Sequence, residues 1–299
     1  MRQQLGADTG LAARMFLTMF LLAALYLFFL TVLWQAGVGY TGIIFFVGIM
    51  LFFQYYFSDR MVLWSMGAKE VSPNEAPKLH ALVERLSALA DLPKPRVAIV
   101  PTSMPNAFAT GRNPSNAVVA VTTGLMDRLD LPELEAVLAH ELSHVKNRDM
   151  TVLTLASFFA TVASYIVQNF FFWGGAFARD DDDGPNNVIL VYLVSLVVWI
   201  ISYFLIRALS RYREFAADRG AAMLTGSPSN LASALIKISG SMNRIPNRDL
   251  RQAEAFNAFF IIPALGGKNS LMELFSTHPS LERRLAYLRK LEQEMEFRR

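Results

Sequence analysis

Four stretches of this chain carry no charged side chain: residues 15–34, 38–57, 150–178 and 188–206. Each reaches the ~20 largely apolar residues that a helix needs to cross a bilayer. Gly37, Gly39 and Gly42 mark a tight turn between the first two, so residues 15–57 are expected to form a transmembrane hairpin. A cleaved signal peptide is the competing reading, since Arg14 precedes the first run. That run exceeds the ~7–15 apolar residues of a signal segment, and a second one follows at once. The second pair, 150–206, is joined by an acidic turn at 179–185 with Asp180, Asp181, Asp182 and Asp183 in sequence. The turn lacks the spaced ligands and terminal glutamate of a calcium loop, so it is expected to be a solvated outer loop.

Residues 58–149 and 207–299 have a different pattern, mixed and periodic. In 75–92, Leu79, Leu82, Val83, Leu86 and Leu89 fall at helical spacing. His80 lies in that helix and reads as a packing residue, because no further ligand is spaced with it. Residues 96–100, 106–110 and 117–122 alternate like strands, with turn formers at 111–116, and predict a small antiparallel sheet. Asp130 with Glu133 reads as a capped helix start, and Leu134, Val137, Leu138, Leu142 and Val145 continue it. A helix from Ser227-Pro228 to about 238 and an amphipathic one over 280–297 follow, the latter with Leu281, Leu285, Leu288 and Leu291 inward. Residues 255–265 are apolar but too short to span. The expected fold is a mostly α integral membrane protein with four transmembrane helices. Two water-facing segments, 58–149 and 207–299, would make one α+β domain, preceded by a short N-terminal segment, 1–14.

Composition agrees. Of 299 residues, 53% are hydrophobic, and the mean hydropathy of +0.32 is too high for an ordinary soluble domain. The net charge of +3 comes without a basic cluster interleaved with aromatic platforms, which removes support for nucleic-acid binding. The basic residues instead report orientation. Arg2, Arg14, Arg60, Lys69, Lys146, Arg148, Arg207, Arg211 and Arg213 flank the spans on one side, whereas the outer turns carry Arg179 and four aspartates. The positive-inside rule then places both termini and both periodic segments in the cytoplasm.

Candidate chemistry sits in the capped helix. His140 and His144 are one helical turn apart on one face, close enough to hold one metal ion. Glu141 directly follows the first imidazole and could take a proton from a water that the metal polarises. This is the His-Glu-x-x-His arrangement of zinc peptidases. There is no cysteine, so any further protein ligand must be His, Asp or Glu. The candidate lies in residues 210–218, where Glu214 and Asp218 are one turn apart: Glu214 could bind the metal while Asp218 orients a histidine through its free ring nitrogen. His144 and Glu214 must then meet although two spans separate them. With the acidic turn near the midpoint, the third and fourth spans are expected to continue past the membrane as long helices whose feet meet at the metal.

Taken together, residues 105–111 (Pro-Asn-Ala-Phe-Ala-Thr-Gly), 140–144, 210–218 and 275–280 (Phe-Ser-Thr-His-Pro-Ser) resemble the HtpX family of bacterial membrane-bound heat-shock zinc peptidases, relatives of the CAAX-processing prenyl protease. The resemblance covers nearly the whole chain. It implies a zincin-like fold, one Zn2+ per chain held by His140, His144 and Glu214, Glu141 as general base, and Asp218 behind a ligand. It also implies that Asn106 and Ala107 lie on an edge strand that pairs with extended substrate. His278 and Arg284 match positions near the cleft, where they would stabilise the oxyanion; a packing histidine at a helix start is the competing reading for His278. Membrane proteins are the implied substrates, the bacterial cytoplasmic (inner) membrane the implied site, and quality control of damaged membrane proteins the implied task.

The chain therefore reads as a zinc-dependent membrane endopeptidase. A catalytically silent metalloprotein acting as adaptor or chaperone is the alternative, weakened by Glu141, which metal binding alone would not need. A transporter would need polar groups within the spans, and only a few such as Gln54, Gln168 and Asn169 are there.

Overall fold

The structure is a computed structural model; it describes residues 8–36, 40–169, 185–242, 261 and 274–297. Helix α1 (Thr9–Gln35) begins where the Asp8 carboxylate accepts the Leu11 N–H at 2.9 Å. Thr18, Leu22, Tyr26, Phe29 and Leu33 form its buried stripe, at the spacing of one helical face. Its other apolar side chains face outward, Phe16 at 73% and Leu27 at 67% exposure, as lipid contact requires. The stripe packs on α6 (Asp149–Gln168) and α7 (Pro185–Thr225) through Val162, Ala163, Ile166, Val191 and Val198. These three helices are long and apolar enough to cross a membrane. The second apolar run forms helix α2 (Tyr40–Ser65). The acidic turn at 179–184 and, apart from Ile261, the short apolar segment 255–265 lie outside the described residues.

Outside these helices the fold is built on a four-stranded sheet: β1 (Lys69–Glu70), β2 (Arg96–Val100), β3 (Ala107–Thr110) and β4 (Val118–Thr122), in the order β1-β2-β4-β3. The sequence reading of an antiparallel sheet is corrected here, since the sheet is mixed. β2 pairs with β4 in parallel, Arg96 opposite Val118, while β3 pairs antiparallel with β4, Ala107 opposite Val121. The reason is a double reversal. The chain turns back after β2 to make β3, then turns again at Gly111, so β4 runs with β2 and slots between them. Gly111 has φ +131°, and a Cβ there would lie 2.8 Å from the Ala117 Cα, so only glycine fits. All five β4 residues are buried, because one face meets helices and the other meets Leu63 of α2 and Phe108 of β3.

Helix α3 (Pro77–Ala90) covers one face of the sheet with Leu79, Leu82, Val83 and Leu86. His80 is buried there, 2.9 Å from the Val71 carbonyl, in the packing role expected of it. After the short α4 (Thr123–Met126), helix α5 (Leu131–Lys146) starts on a full capping box: Asp130 accepts the Glu133 N–H and Glu133 accepts the Asp130 N–H. Helices α8 (Pro228–Met242) and α9 (Leu281–Glu296) close the core with Leu231, Leu235, Ile238, Leu288 and Leu291.

A second correction concerns the feet of the second hairpin. Helix α7 is continuous for 41 residues, about 60 Å at ~1.5 Å per residue, and carries the span and the segment beyond it in one rod. Helix α5 does not flow into α6. Arg148 is left-handed (φ 55°, ψ 39°), which ends one helix at Lys146 and starts the next at Asp149 in a new direction. A non-glycine residue in that conformation costs about 1 kcal/mol or more, so the surrounding structure must impose the bend. Nevertheless α5 packs along α7, with Gly220 of α7 directly against Ser143 of α5.

Candidate metal centre

Helix α5 supplies the buried His140 and Glu141 and the partly exposed His144, and α7 supplies Glu214 and Asp218 one turn apart. One atom from each of His140, His144 and Glu214 lies within 4.8 Å of the others. The Nε2 atoms of the two histidines face each other at 3.1 Å. Glu214 Oε1 is 3.4 Å from His144 Nε2, and Glu214 Oε2 is 3.7 Å from His140 Nε2.

Each imidazole is held from behind. His140 Nδ1 is 3.0 Å from Asp218 Oδ1, and His144 Nδ1 is 2.6 Å from Asp149 Oδ2. A neutral imidazole that donates its Nδ1–H to such a carboxylate keeps the Nε2 lone pair for a metal. Burial also pushes His140 down to about 4, so its ring is neutral at pH 7. Two imidazole nitrogens and a carboxylate thus converge on one point, with Arg284 and His278 also against Glu214, whose charge and hydrogen bond hold His144 above its ordinary range despite burial. Tetrahedral zinc, with bonds of ~2.0–2.1 Å, would set its ligand atoms ~3.3 Å apart, close to the separations found. The donor set fits a divalent metal.

Glu141 lies beside this cluster, 5% exposed, with Oε2 accepting the Ala109 N–H at 3.0 Å. Burial, reinforced by the Glu214 charge, pushes its carboxyl up to about 7 against the opposing pull of His144. The cleft in front is lined by Ala107 and Ala109 from β3, by Met150 and Leu153 from α6, and by Ile261 and His278.

The remaining residues singled out in the sequence fall into place unevenly. Among the described residues β3 is an edge strand, with its inner neighbour β4. Asn106, however, is 1% exposed and turned inward: its N–H donates to Thr122 Oγ1, its C=O accepts the Thr122 N–H, and its side-chain oxygen accepts the Ile261 N–H at 3.1 Å. The alternation of an antiparallel ladder then turns the backbone groups of Ala107 and Ala109 to the free edge, which faces the cleft. His278 Nδ1 is 3.1 Å from Glu214 Oε2. Arg284 is 2% exposed and lies behind the cluster rather than in the cleft. Its Nε and Nη2 reach Asp218 at 3.0 and 2.5 Å, and its Nη1 reaches the Ile261 carbonyl at 2.7 Å and Glu214 Oε2 at 3.2 Å. Asp149 and Arg213 were missed in the sequence. Arg213 donates to both Asp149 and the Asn147 carbonyl. The one available signal was an acid five residues after His144 at the head of an apolar run.

Comparison with known proteins agrees with this geometry. Residues 73–292 match Peptidase family M48. The chain is 84% identical over 300 residues to a Protease HtpX homolog of Moorella thermoacetica, and 61% identical over 295 residues to Protease HtpX homolog 2 of Methanosarcina mazei; the matches cover 99–100% of both chains in each case. Its fold is similar to the crystal structure of S. mikatae Ste24p, with a TM-score of 0.54 and 19% identity over 94% of this chain and 67% of that one. Set beside a paired-histidine helix crossed by a glutamate-bearing helix, these likenesses identify the chain as a metallopeptidase of family M48, in the HtpX group.

Proposed function

We propose that the chain is a zinc-dependent integral membrane endopeptidase with four spans, both termini and the metal centre on the cytoplasmic side of a bacterial cytoplasmic membrane, and that it cuts damaged or misfolded membrane proteins. The observation that carries this reading is the convergence of His140 Nε2, His144 Nε2 and Glu214 on one point, with the Glu141 carboxylate alongside in an open cleft. Bound there, zinc would polarise the scissile carbonyl and acidify the attacking water. His140, His144 and Glu214 would hold the ion, and Asp218 would fix the His140 ring. Glu141 accepts the proton of the attacking water and passes it to the leaving amine. Its carboxyl, raised to about 7, is suited to both halves of that transfer.

The free-edge backbone groups of Ala107 would pair with an extended substrate strand, with Asn106 supporting the edge from within by holding Ile261. His278, on the cleft wall, would face the developing oxyanion. Arg284 would act from behind by holding Asp218 and Glu214. Backbone pairing tolerates many side-chain sequences, which suits a protease acting on varied substrates. The cleft is bounded by Met150 and Leu153, at the start of an apolar span, so substrate would reach it at the membrane boundary.

The test is cleavage of an unfolded protein by the full chain in lipid nanodiscs, before and after chelation and after zinc is restored. Cleavage should stop on chelation and return with one zinc per chain. Undiminished cleavage by metal-free protein would contradict the proposal.

A further inference from the structure

Asp149 is the first residue of α6 and is 4% exposed. Its Oδ2 lies 2.6 Å from His144 Nδ1, and its Oδ1 receives the Arg213 guanidinium. Arg213, itself 5% exposed, also donates to the Asn147 carbonyl at 2.7 Å. It sits on α7 immediately before Glu214. An imidazole on α5, a carboxylate on α6 and a guanidinium on α7 are therefore joined in one buried chain.

The other histidine repeats the pattern. Behind His140 stands Asp218, and behind Asp218 stands Arg284. Taking a carboxylate and a guanidinium out of water costs several kcal/mol per ion before pairing, and an apolar pair would pack as well at the junction of two helices. Two such chains, each ending on an imidazole of the same cluster, point to a shared task. We infer that Asp149 is a positioning residue for the metal centre: it fixes the His144 proton on Nδ1, leaving Nε2 to the metal, and Arg213 locks that geometry to α7 beside Glu214.

This rests on the metal-centre reading above and adds a consequence to it. His144 is aimed by the first residue of a membrane span, so the bend at Arg148 has a use. It brings the head of α6 back against the ring one turn below, which a straight helix could not do. The register of α6 against α7 in the bilayer thereby sets the aim of one ligand.

The experiment is zinc affinity of the full chain in nanodiscs, by competition with a chromophoric chelator, for wild type, Asp149→Ala, Asp149→Asn and Glu133→Gln. Removing such a supporting group typically weakens metal binding by about ten- to a hundredfold, and Asp149→Ala should do so. Asp149→Asn keeps an oxygen that can accept the Nδ1–H and should lose less. Glu133→Gln breaks a buried contact to Ser233 and Lys237 at the far end of α5; it should lower the melting temperature and leave zinc affinity intact. Imidazole 15N signals of the metal-free wild type at pH 8 give a readout that needs no variant: His144 should be protonated on Nδ1. Wild-type affinity in Asp149→Ala, a proton on His144 Nε2, or an equal loss of affinity in Glu133→Gln would overturn the inference. A wild type that binds no zinc at all would overturn the metal centre, and this inference with it.

Discussion

Glu141 shows how one side chain can be set for two opposite tasks. Burial raises its carboxyl to about 7, and the charge of Glu214 acts in the same direction. The unfolded chain titrates it near its ordinary value, so in metal-free protein the native state binds the extra proton between about pH 4.5 and 7. Its contribution to stability is therefore favourable at low pH and is lost as pH rises through about 7. Glu141→Gln removes that titration. The variant should bind zinc, cleave nothing, and in metal-free form gain melting temperature over wild type as pH is raised from 5.5 to 8. Full cleavage by the variant would remove Glu141 from the mechanism; a gain that shrinks with rising pH would show the sign to be wrong. At this scale the sequence was legible where spacing is local. His140 with His144, and Glu214 with Asp218, are pairs one turn apart, and the fold brings His140, His144 and Glu214 together with Asp218 behind His140. Asp149 was hidden because it acts across a helix break that no propensity announces. Arg213 was hidden because it stands among the basic residues expected beside any span. Arg284 was read as a cleft residue from resemblance alone, and the structure buries it behind Asp218.

Among the elements, the helices were the easier to read, since capping and periodicity are encoded within each segment. Asp130 and Glu133 announced α5, and the structure forms the reciprocal cap. The direction of β4 was not legible in the same way. Alternation says that a segment is a strand, but its partner depends on how the chain closes through residues far apart in sequence, and two reversals gave a parallel pair where only antiparallel pairing was expected. The close approach of α5 and α7 was also unreadable, because a glycine within a helical pattern does not say what it faces. A Cβ on Gly220 would overlap the Ser143 side chain, with only 2.7 Å to its Cβ. Gly220→Ala should push the two helices apart, cost about 1–3 kcal/mol of stability, and weaken zinc binding, because Glu214 rides on the same helix. Adding Ser143→Gly should recover part of both losses. Urea unfolding together with zinc titration would check this; a Gly220→Ala protein matching wild type in both would mean the contact does not hold the ligands in place.

The whole molecule joins a membrane bundle to a metallopeptidase core through α7, which runs through both. Its apolar run ends at Ile206, and Glu214 follows eight residues later, roughly 12 Å along the rod. Hydropathy marked the apolar runs because lipid tolerates no charged face, and three helices prove long and apolar enough to cross a membrane; the need for His144 and Glu214 to meet suggested that long helices would carry the ligands beyond the runs. Helix α7 runs unbroken from its apolar run through Glu214, whereas α5 ends at Lys146 and the chain bends at Arg148, bringing Asp149 against His144. The central claim is that these helices meet to hold one metal ion in a cleft at the membrane boundary. The most direct measurement is anomalous diffraction from zinc-loaded crystals, collected on both sides of the zinc absorption edge. The account predicts one peak per chain, bonded to His140 Nε2, His144 Nε2 and the Glu214 carboxylate, with Glu141 beside it and outside bonding distance. No peak at that point, or a peak bonded to other residues, would contradict it.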